Sequence, residues 1–270
     1  MNEALVSVIM PVYRAGAFLV DALCSLENQE HTQWELIAVD DNGEETSDRK
    51  VLEEFQHKWG EERVQLCVQP RNLGVANARN TAIRQSRGKY IAFLDADDEW
   101  ASSRLGKGIE ILEKDPEIVL VHHAVKVLAD TPEQEARFLK WFNRGGAEKY
   151  LLRKTTDYLV ENHICTSAVI CRREGIRLTA LPPRMAFQLE DWVTWNHIAT
   201  LGYFYYDDEP LVHYRTYPES FTRRTFDQPG MREFAYLEML FKTFSFKRPF
   251  SDILNLSRRI LKTLWSIYRG

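Results

Sequence analysis

The chain contains no run of 18 apolar residues, so nothing in it predicts a membrane-spanning helix. Its start, Met1-Asn2-Glu3-Ala4-Leu5, has neither the basic opening nor the long apolar stretch of a secretion signal. The four cysteines, Cys24, Cys67, Cys165 and Cys171, form no CxxC pair. Scattered thiols in a chain of 270 residues predict buried, reduced side chains in a cytoplasmic protein. Positive charge is not in surplus either. Lys and Arg total 35 against 39 Asp and Glu, a net charge of −4, which disfavours general nucleic-acid binding. No GxxxxGK(S/T) stretch is present, which disfavours a P-loop triphosphatase. A dinucleotide-binding GxGxxG is also missing after the first strand, where Pro11-Val12-Tyr13-Arg14 stands instead.

What the chain does have is 44% hydrophobic and 27% charged residues, enough apolar material for a sizeable core. Leu5 to Met10 reads as a buried strand closed by Pro11, and Ala17 to Gln29 carries apolar residues at helical spacing. A second strand, Trp34 to Val39, runs into the turn-forming Asp40-Asp41-Asn42-Gly43. Helix over Val51 to Trp59, strand over Val64 to Val68, helix over Asn77 to Gln85 and strand over Tyr90 to Leu94 follow. This alternation predicts an α/β fold with a parallel sheet covered by helices. Further on, Ile118 to Leu128 and Thr166 to Cys171 read as strands, and Thr131 to Tyr158 as helix plus loop. Glu190 to Thr200 is predicted helical, Tyr203 to Tyr206 and Leu211 to Tyr214 extended, and Met231 onward helical.

Ligands of such sheets bind at the carboxyl ends of the strands. Three polar segments fall there: Pro11-Val12-Tyr13, Asp40-Asp41-Asn42-Gly43 and Asp95-Ala96-Asp97-Asp98. An Asp after a strand is most often a turn former, but three such coincident segments on one edge point to a site. Asp95 and Asp97, two positions apart, can converge on a hard divalent cation and leave room for phosphate oxygens.

Four stretches, VSVIMPVYRAGAFLVDALCSLENQ, WELIAVDDNGEET, RNLGVANARNTAI and GKYIAFLDADD, stand in the order seen in family 2 glycosyltransferases. The chain resembles that family most strongly over residues 5 to 105, and again at Leu189-Glu190-Asp191-Trp192. The resemblance implies the GT-A fold, a Rossmann-like doubly wound mixed sheet. It implies a catalytic domain over 1–225, with a nucleotide-sugar half (1–105) and an acceptor half (106–225), then a helical extension over 226–270.

For site residues the resemblance implies that Pro11 and Tyr13 lie along the nucleotide and that Asp41 bonds the base, usually uracil. Asn72 and Arg79 match the diphosphate side. Asp95 falls near ribose and donor sugar, and Asp97 ligates Mn²⁺ or Mg²⁺, with Asp95 as the second acid of that metal site. Asp191 matches the catalytic base, expected to stay ionised at a helix start, and Glu190 and Trp192 the acceptor side. The implied reaction is inverting transfer from a nucleotide sugar, with UDP the expected nucleotide, to a glycan or lipid-linked hydroxyl in surface polysaccharide or lipopolysaccharide synthesis. A nucleotidyltransferase and a non-catalytic nucleotide-sugar-binding relative are the alternatives.

One departure stands out. Many members carry Tyr-Arg-x-His, and here Tyr214-Arg215-Thr216-Tyr217 puts Tyr217 at the His position, leaving the third metal ligand open. His213 is expected to be an ordinary packed or surface residue. His122-His123 lies in an apolar strand, so one ring is expected inside and the other outside.

The tail reverses the charge balance. Residues 242–270 hold seven Lys and Arg against Asp252 alone, a surplus of six, so the remainder carries −10. Ile253, Leu256, Ile260, Leu264 and Ile267 recur at helical spacing. A basic amphipathic helix of this kind fits either the inner face of a membrane or a packing or homodimer contact.

Overall fold

The structure, a computed structural model, describes residues 4–129, 131–143, 148–150, 162–176 and 190–217. The expected tail helix and the 225/226 boundary lie outside these residues.

Four strands alternate with three helices: β1 (Val6–Val12), α1 (Phe18–Glu27), β2 (Trp34–Asp40), α2 (Ser47–Trp59), β3 (Val64–Val68), α3 (Val75–Gln85) and β4 (Tyr90–Phe93). Then come β5 (Glu99–Trp100), α4 (Arg104–Lys114), β6 (Ile118–Leu128), α5 (Pro132–Phe142) and β7 (Glu148–Tyr150). A 3₁₀ turn over Thr166–Ala168 leads into β8 (Val169–Arg172), and α6 (Glu190–Ile198) precedes β9 (Tyr203–Arg215). The sheet runs β3-β2-β1-β4-β8-β6-β9-β5, with β7 also on β9. The β3, β2, β1 and β4 strands are mutually parallel, whereas β8 is antiparallel to both neighbours, so the sheet is mixed.

Both faces are covered, and the strand residues divide between them by period two. Val8, Met10, Leu36 and Ala38 pack with Leu19, Leu23 and Leu26 of α1 and Leu52 of α2 on one face. Ile9, Ile37 and Val39 pack with Ala78 and Ala82 of α3 and Trp195 of α6 on the other. Each large side chain so buried stabilises the fold by roughly 1.5–3 kcal/mol.

Several expectations need correcting. Pro11 does not close β1, which continues to Val12 in register with Val39 and Asp40 of β2. On the other side, pairing with β4 ends at Ile9↔Phe93 and the Leu94 N–H on the Ile9 carbonyl. Because directions alternate along a strand, Pro11 turns its missing N–H to the side that β4 has left, where it breaks no ladder bond. Thr166–Ala168 is a 3₁₀ turn, not strand. Tyr203 to Arg215 is one strand, with register shifts against β6 between His123 and Val125 absorbing its polar middle.

His122 and His123 are both buried, because β6 lies between β8 and β9 with both faces covered. They do face opposite ways. His122 Nε2 meets the Tyr150 hydroxyl at 2.6 Å, and His123 Nδ1 meets Asp207 at 3.0 Å. His213 stands in register between Glu99 and Lys126, an ordinary strand position. No helix among the described residues is long and apolar enough to cross a membrane.

Candidate active site

Two loops meet beyond β2 and β3. Asp41 is buried, and its carboxylate accepts the Leu73 N–H at 2.7 Å and the Gly74 N–H at 2.9 Å. Burial pushes this carboxyl up, against the pull of those two amides. Gly43 has φ +79°, and a Cβ there would stand 2.5 Å from the Arg71 Cα, so only glycine lets the loops touch. The Asn72 side chain accepts the Gly74 N–H at 3.0 Å. Asp40 bonds Arg49 at 2.6 Å and Asn42 at 2.8 Å. Beside this wall, Tyr13 projects 46% exposed from the end of β1. These residues form a braced ledge with the exposed Tyr13 ring at its lip, the Arg14 guanidinium lying over that ring 5.1 Å from its centroid.

Beyond β4 lies the acidic loop. Asp97 is half-buried; loss of solvent and then the neighbouring Asp95 charge push it up to about 6. The Tyr217 hydroxyl donates to Asp97 Oδ2 at 3.2 Å, and Arg215 Nε donates to the Asp97 carbonyl at 3.1 Å. Tyr217 therefore reaches the acid beside which a His was expected. Asp98, fully buried, accepts the Ser167 hydroxyl at 2.5 Å and the Arg215 N–H at 2.9 Å. Burial first, and the Asp97 and Asp95 charges next, hold it well above the usual carboxylate range. Of the three acids in this loop only Asp98 is buried, and its oxygens are taken by Ser167 and Arg215. Among the described residues no three His, Cys, Asp or Glu side chains group as ligands, so Asp95 and Asp97 remain as a carboxylate pair, oxygen donors of the type that suits Mg²⁺ or Mn²⁺.

Arg79, on the buried side of α3, joins this loop to α6. Its Nη2 bonds Asp95 Oδ1 at 2.5 Å, and its Nη1 pairs with Glu190 Oε1. Burial works against its charge, but Asp95, Glu190 and Asp191 hold the guanidinium firmly protonated. Burial pushes Glu190 up to about 7 against the pull of Arg79. Its Oε2 has no partner among the described residues.

Asp191 sits in the first turn of α6. Its Oδ1 accepts the Trp192 N–H at 2.6 Å, and its Oδ2 accepts Asn162 Nδ2 at 2.7 Å and the Thr166 hydroxyl at 3.2 Å. Burial raises this carboxyl, which Arg79 and those donors counter, a proton affinity suited to a base. A recess between α3 and α6 is lined by Arg79, Asn80, Phe93, Thr166, Glu190 and Asp191, among others. Trp192 is only 5% exposed.

Arg79, Asp95, Glu190 and Asp191 thus converge, with Asp97 in the same acidic loop, while Pro11, Tyr13, Asp41 and Asn72 form the separate ledge beyond β1 and β2. Sequence reasoning missed Asn162, Thr166, Ser167 and Asp98. Thr166 and Ser167 are two hydroxyls in the otherwise apolar Ile164–Ile170, an available signal.

The model of the family described as glycosyl transferase family 2 matches residues 7–177. Among curated proteins, the chain is 36% identical over 114 residues to the Escherichia coli UDP-Glc:alpha-D-GlcNAc-diphosphoundecaprenol beta-1,3-glucosyltransferase WfgD, covering 42% of this chain and 43% of that one. The chain thus spans less than half the length of that relative. Among solved structures, Staphylococcus aureus TarS 1-349 in complex with UDP superposes with TM-score 0.68 at 16% identity, over 97% of this chain and 72% of that one. The Pyrobaculum calidifontis mannosyltransferase PcManGT, in complex with GDP-Man and Mn²⁺, superposes with TM-score 0.67 at 18% identity, over 96% and 70%. These likenesses, the mixed doubly wound sheet and the order of its motifs agree: the chain belongs to glycosyl transferase family 2 and has the GT-A fold.

Proposed function

We propose that this protein is an inverting, metal-dependent glycosyltransferase that moves a sugar from a UDP-sugar to a hydroxyl of a glycan or lipid-linked acceptor in bacterial surface polysaccharide synthesis. The observation that carries the reading is the convergence of Asp95, Arg79, Glu190 and Asp191 on one partly buried cluster drawn from three separate elements. The names of the relatives support it: WfgD uses UDP-Glc and a diphosphoundecaprenol-linked sugar, and TarS is seen with UDP.

In this reading Tyr13 lies against the base, Pro11 opens the strand end beside it, and Asp41 with Asn72 holds the base-side loop. Asp97 and Asp95 would hold the cation, Mn²⁺ or Mg²⁺, a reading that the Mn²⁺ in the PcManGT complex supports. Such a cation supplies charge stabilisation to the departing diphosphate. Arg79 fixes Asp95 and so sets where the donor sugar meets the acidic loop. Asp191 takes the proton of the acceptor hydroxyl, and attack opposite the diphosphate inverts the anomeric centre. Glu190, held by Arg79, fixes the start of α6 on the acceptor side, with Trp192 packed behind it.

UDP release from UDP-glucose and UDP-N-acetylglucosamine with Mn²⁺ tests the reading. Release that stops on metal removal and falls roughly 10²–10⁴-fold in Asp191→Asn is the expected result. Binding of UDP without any turnover favours the non-catalytic relative.

A further inference from the structure

Thr166 and Ser167 are neighbours in sequence but serve two different centres. A 3₁₀ turn has three residues per turn, so adjacent side chains diverge by about 120°. The Thr166 hydroxyl reaches Asp191 Oδ2, joined there by Asn162 from the same segment. The Ser167 hydroxyl turns to the acidic loop, accepting the Asp95 N–H at 3.1 Å and donating to Asp98. The turn is itself anchored. The Ser167 carbonyl accepts Trp100 Nε1 at 2.9 Å and Arg104 Nη2 at 3.1 Å, and the Val169 carbonyl accepts Arg104 Nη2 at 2.7 Å. Arg104 is fully buried, has no carboxylate partner among the described residues, and stacks on the Trp100 ring 3.9 Å from its centroid. A buried cation bound to backbone carbonyls fastens the turn on its far side.

We propose that Asn162–Ser167 is a positioning strap that sets the distance between the proton-accepting carboxylate Asp191 and the Asp95–Asp98 loop, with Asn162 and Thr166 orienting the base and Ser167 the loop. The proposal rests on Asp191 being the base. Two donors on Oδ2 and the Trp192 N–H on Oδ1 leave Asp191 little rotational freedom, which is what a base aimed at one hydroxyl requires. The charged groups facing Asp191 among the described residues are Arg79 from α3 and Glu190 beside it; Asp95 lies beyond Arg79. Loss of either strap donor therefore leaves the charge balance unchanged and removes only orientation and hydrogen-bond support of the carboxylate.

The test compares Asn162→Ala, Thr166→Val, Thr166→Ser, Ser167→Ala and Asp191→Asn, using UDP release from a UDP-sugar with Mn²⁺. Calorimetric UDP binding and thermal unfolding are run on each variant. Asn162→Ala and Thr166→Val are expected to lower kcat about tenfold or more with donor KM and UDP affinity unchanged, the scale of one hydrogen bond to a charged group. The acidic limb of their kcat profile moves to higher pH, because the carboxylate loses donors that favour its ionised form. Thr166→Ser retains the hydroxyl and restores both. Ser167→Ala raises donor KM in Mn²⁺ and leaves the acidic limb in place. Equal losses in Thr166→Ser and Thr166→Val, or an unmoved limb, overturn the proposal. Full turnover by Asp191→Asn overturns the base assignment and the proposal with it. An inactive Asp191→Asn beside wild-type kcat in both strap variants overturns the proposal alone.

Discussion

Arg79 and Glu190 stand 111 positions apart and share a buried ion pair, which brings α3 against the first turn of α6. The same guanidinium also holds Asp95, so one cation is shared by the acidic loop after β4 and by α6. Removing one partner of a buried pair leaves the other as an uncompensated charge. Arg79→Met is therefore expected to cost roughly 3–5 kcal/mol in denaturant unfolding. The loss is larger at pH 8 than at pH 6, because Glu190, already pushed up to about 7, must ionise without its counterion. Adding Glu190→Gln recovers part of it. A loss below about 1 kcal/mol, the size of an exposed pair, contradicts this account.

Asp97→Asn removes one of the two carboxylates assigned to the cation. Calorimetry should show wild-type UDP affinity rising on addition of Mn²⁺ and the variant's affinity indifferent to it. Equal wild-type affinity with and without Mn²⁺ sinks the metal assignment.

His122 is held neutral by burial and by the neighbouring His123, its pKa lowered from 6.5 to about 3. A base with a depressed folded pKa contributes stability that is present above 6.5 and is lost as pH falls toward 3. Urea unfolding of the wild type should weaken progressively below pH 6.5, and His122→Gln should flatten that decline. Parallel pH curves for the two proteins would assign the acid sensitivity elsewhere.

The basic segment 242–270 lies outside the described residues, and its apolar stripe suits a membrane surface or a protein partner equally. Anionic lipid attracts nearby Lys and Arg at about 1 kcal/mol each. The full chain is expected to sediment with anionic liposomes at low salt and to be released by salt, and a chain ending near Phe250 to stay in solution. If both remain in the supernatant, the segment packs on protein, and a change in oligomeric state on truncation reports a homodimer contact.

The first hundred residues were legible because each strand is a mainly apolar run despite Ser7, Glu35 and Gln65, and each helix carries an apolar stripe. Val64–Val68 and Ile118–Leu128 have the bounds that periodicity predicts. The α4 helix was not legible. Gly106 and Gly108 lower its helical propensity, yet Gly108 is required there, since a Cβ would stand 2.5 Å from Ile170 of β8. Short β5 and β7 carry too few residues to show a period. Within the site, Asp95, Asp97 and Asp191 were readable from motif order. The roles of Asn162, Thr166 and Ser167 depend on a 3₁₀ turn whose apolar surroundings imitate a strand. Tyr217 reads as a departure from the family pattern, and only the return of β9 to the acidic loop brings its hydroxyl to Asp97.

Pro11 gives the cleft its permanence. Parallel strands with free amides and carbonyls on facing edges tend to keep zipping, and a seam between β1 and β4 that closed two residues further would seal the fork between the two strand ends. With no hydrogen to offer at the fork, β1 supplies no next tooth. The opening is written into the covalent chemistry of one imino acid, and it needs neither ligand nor strain to keep it ajar.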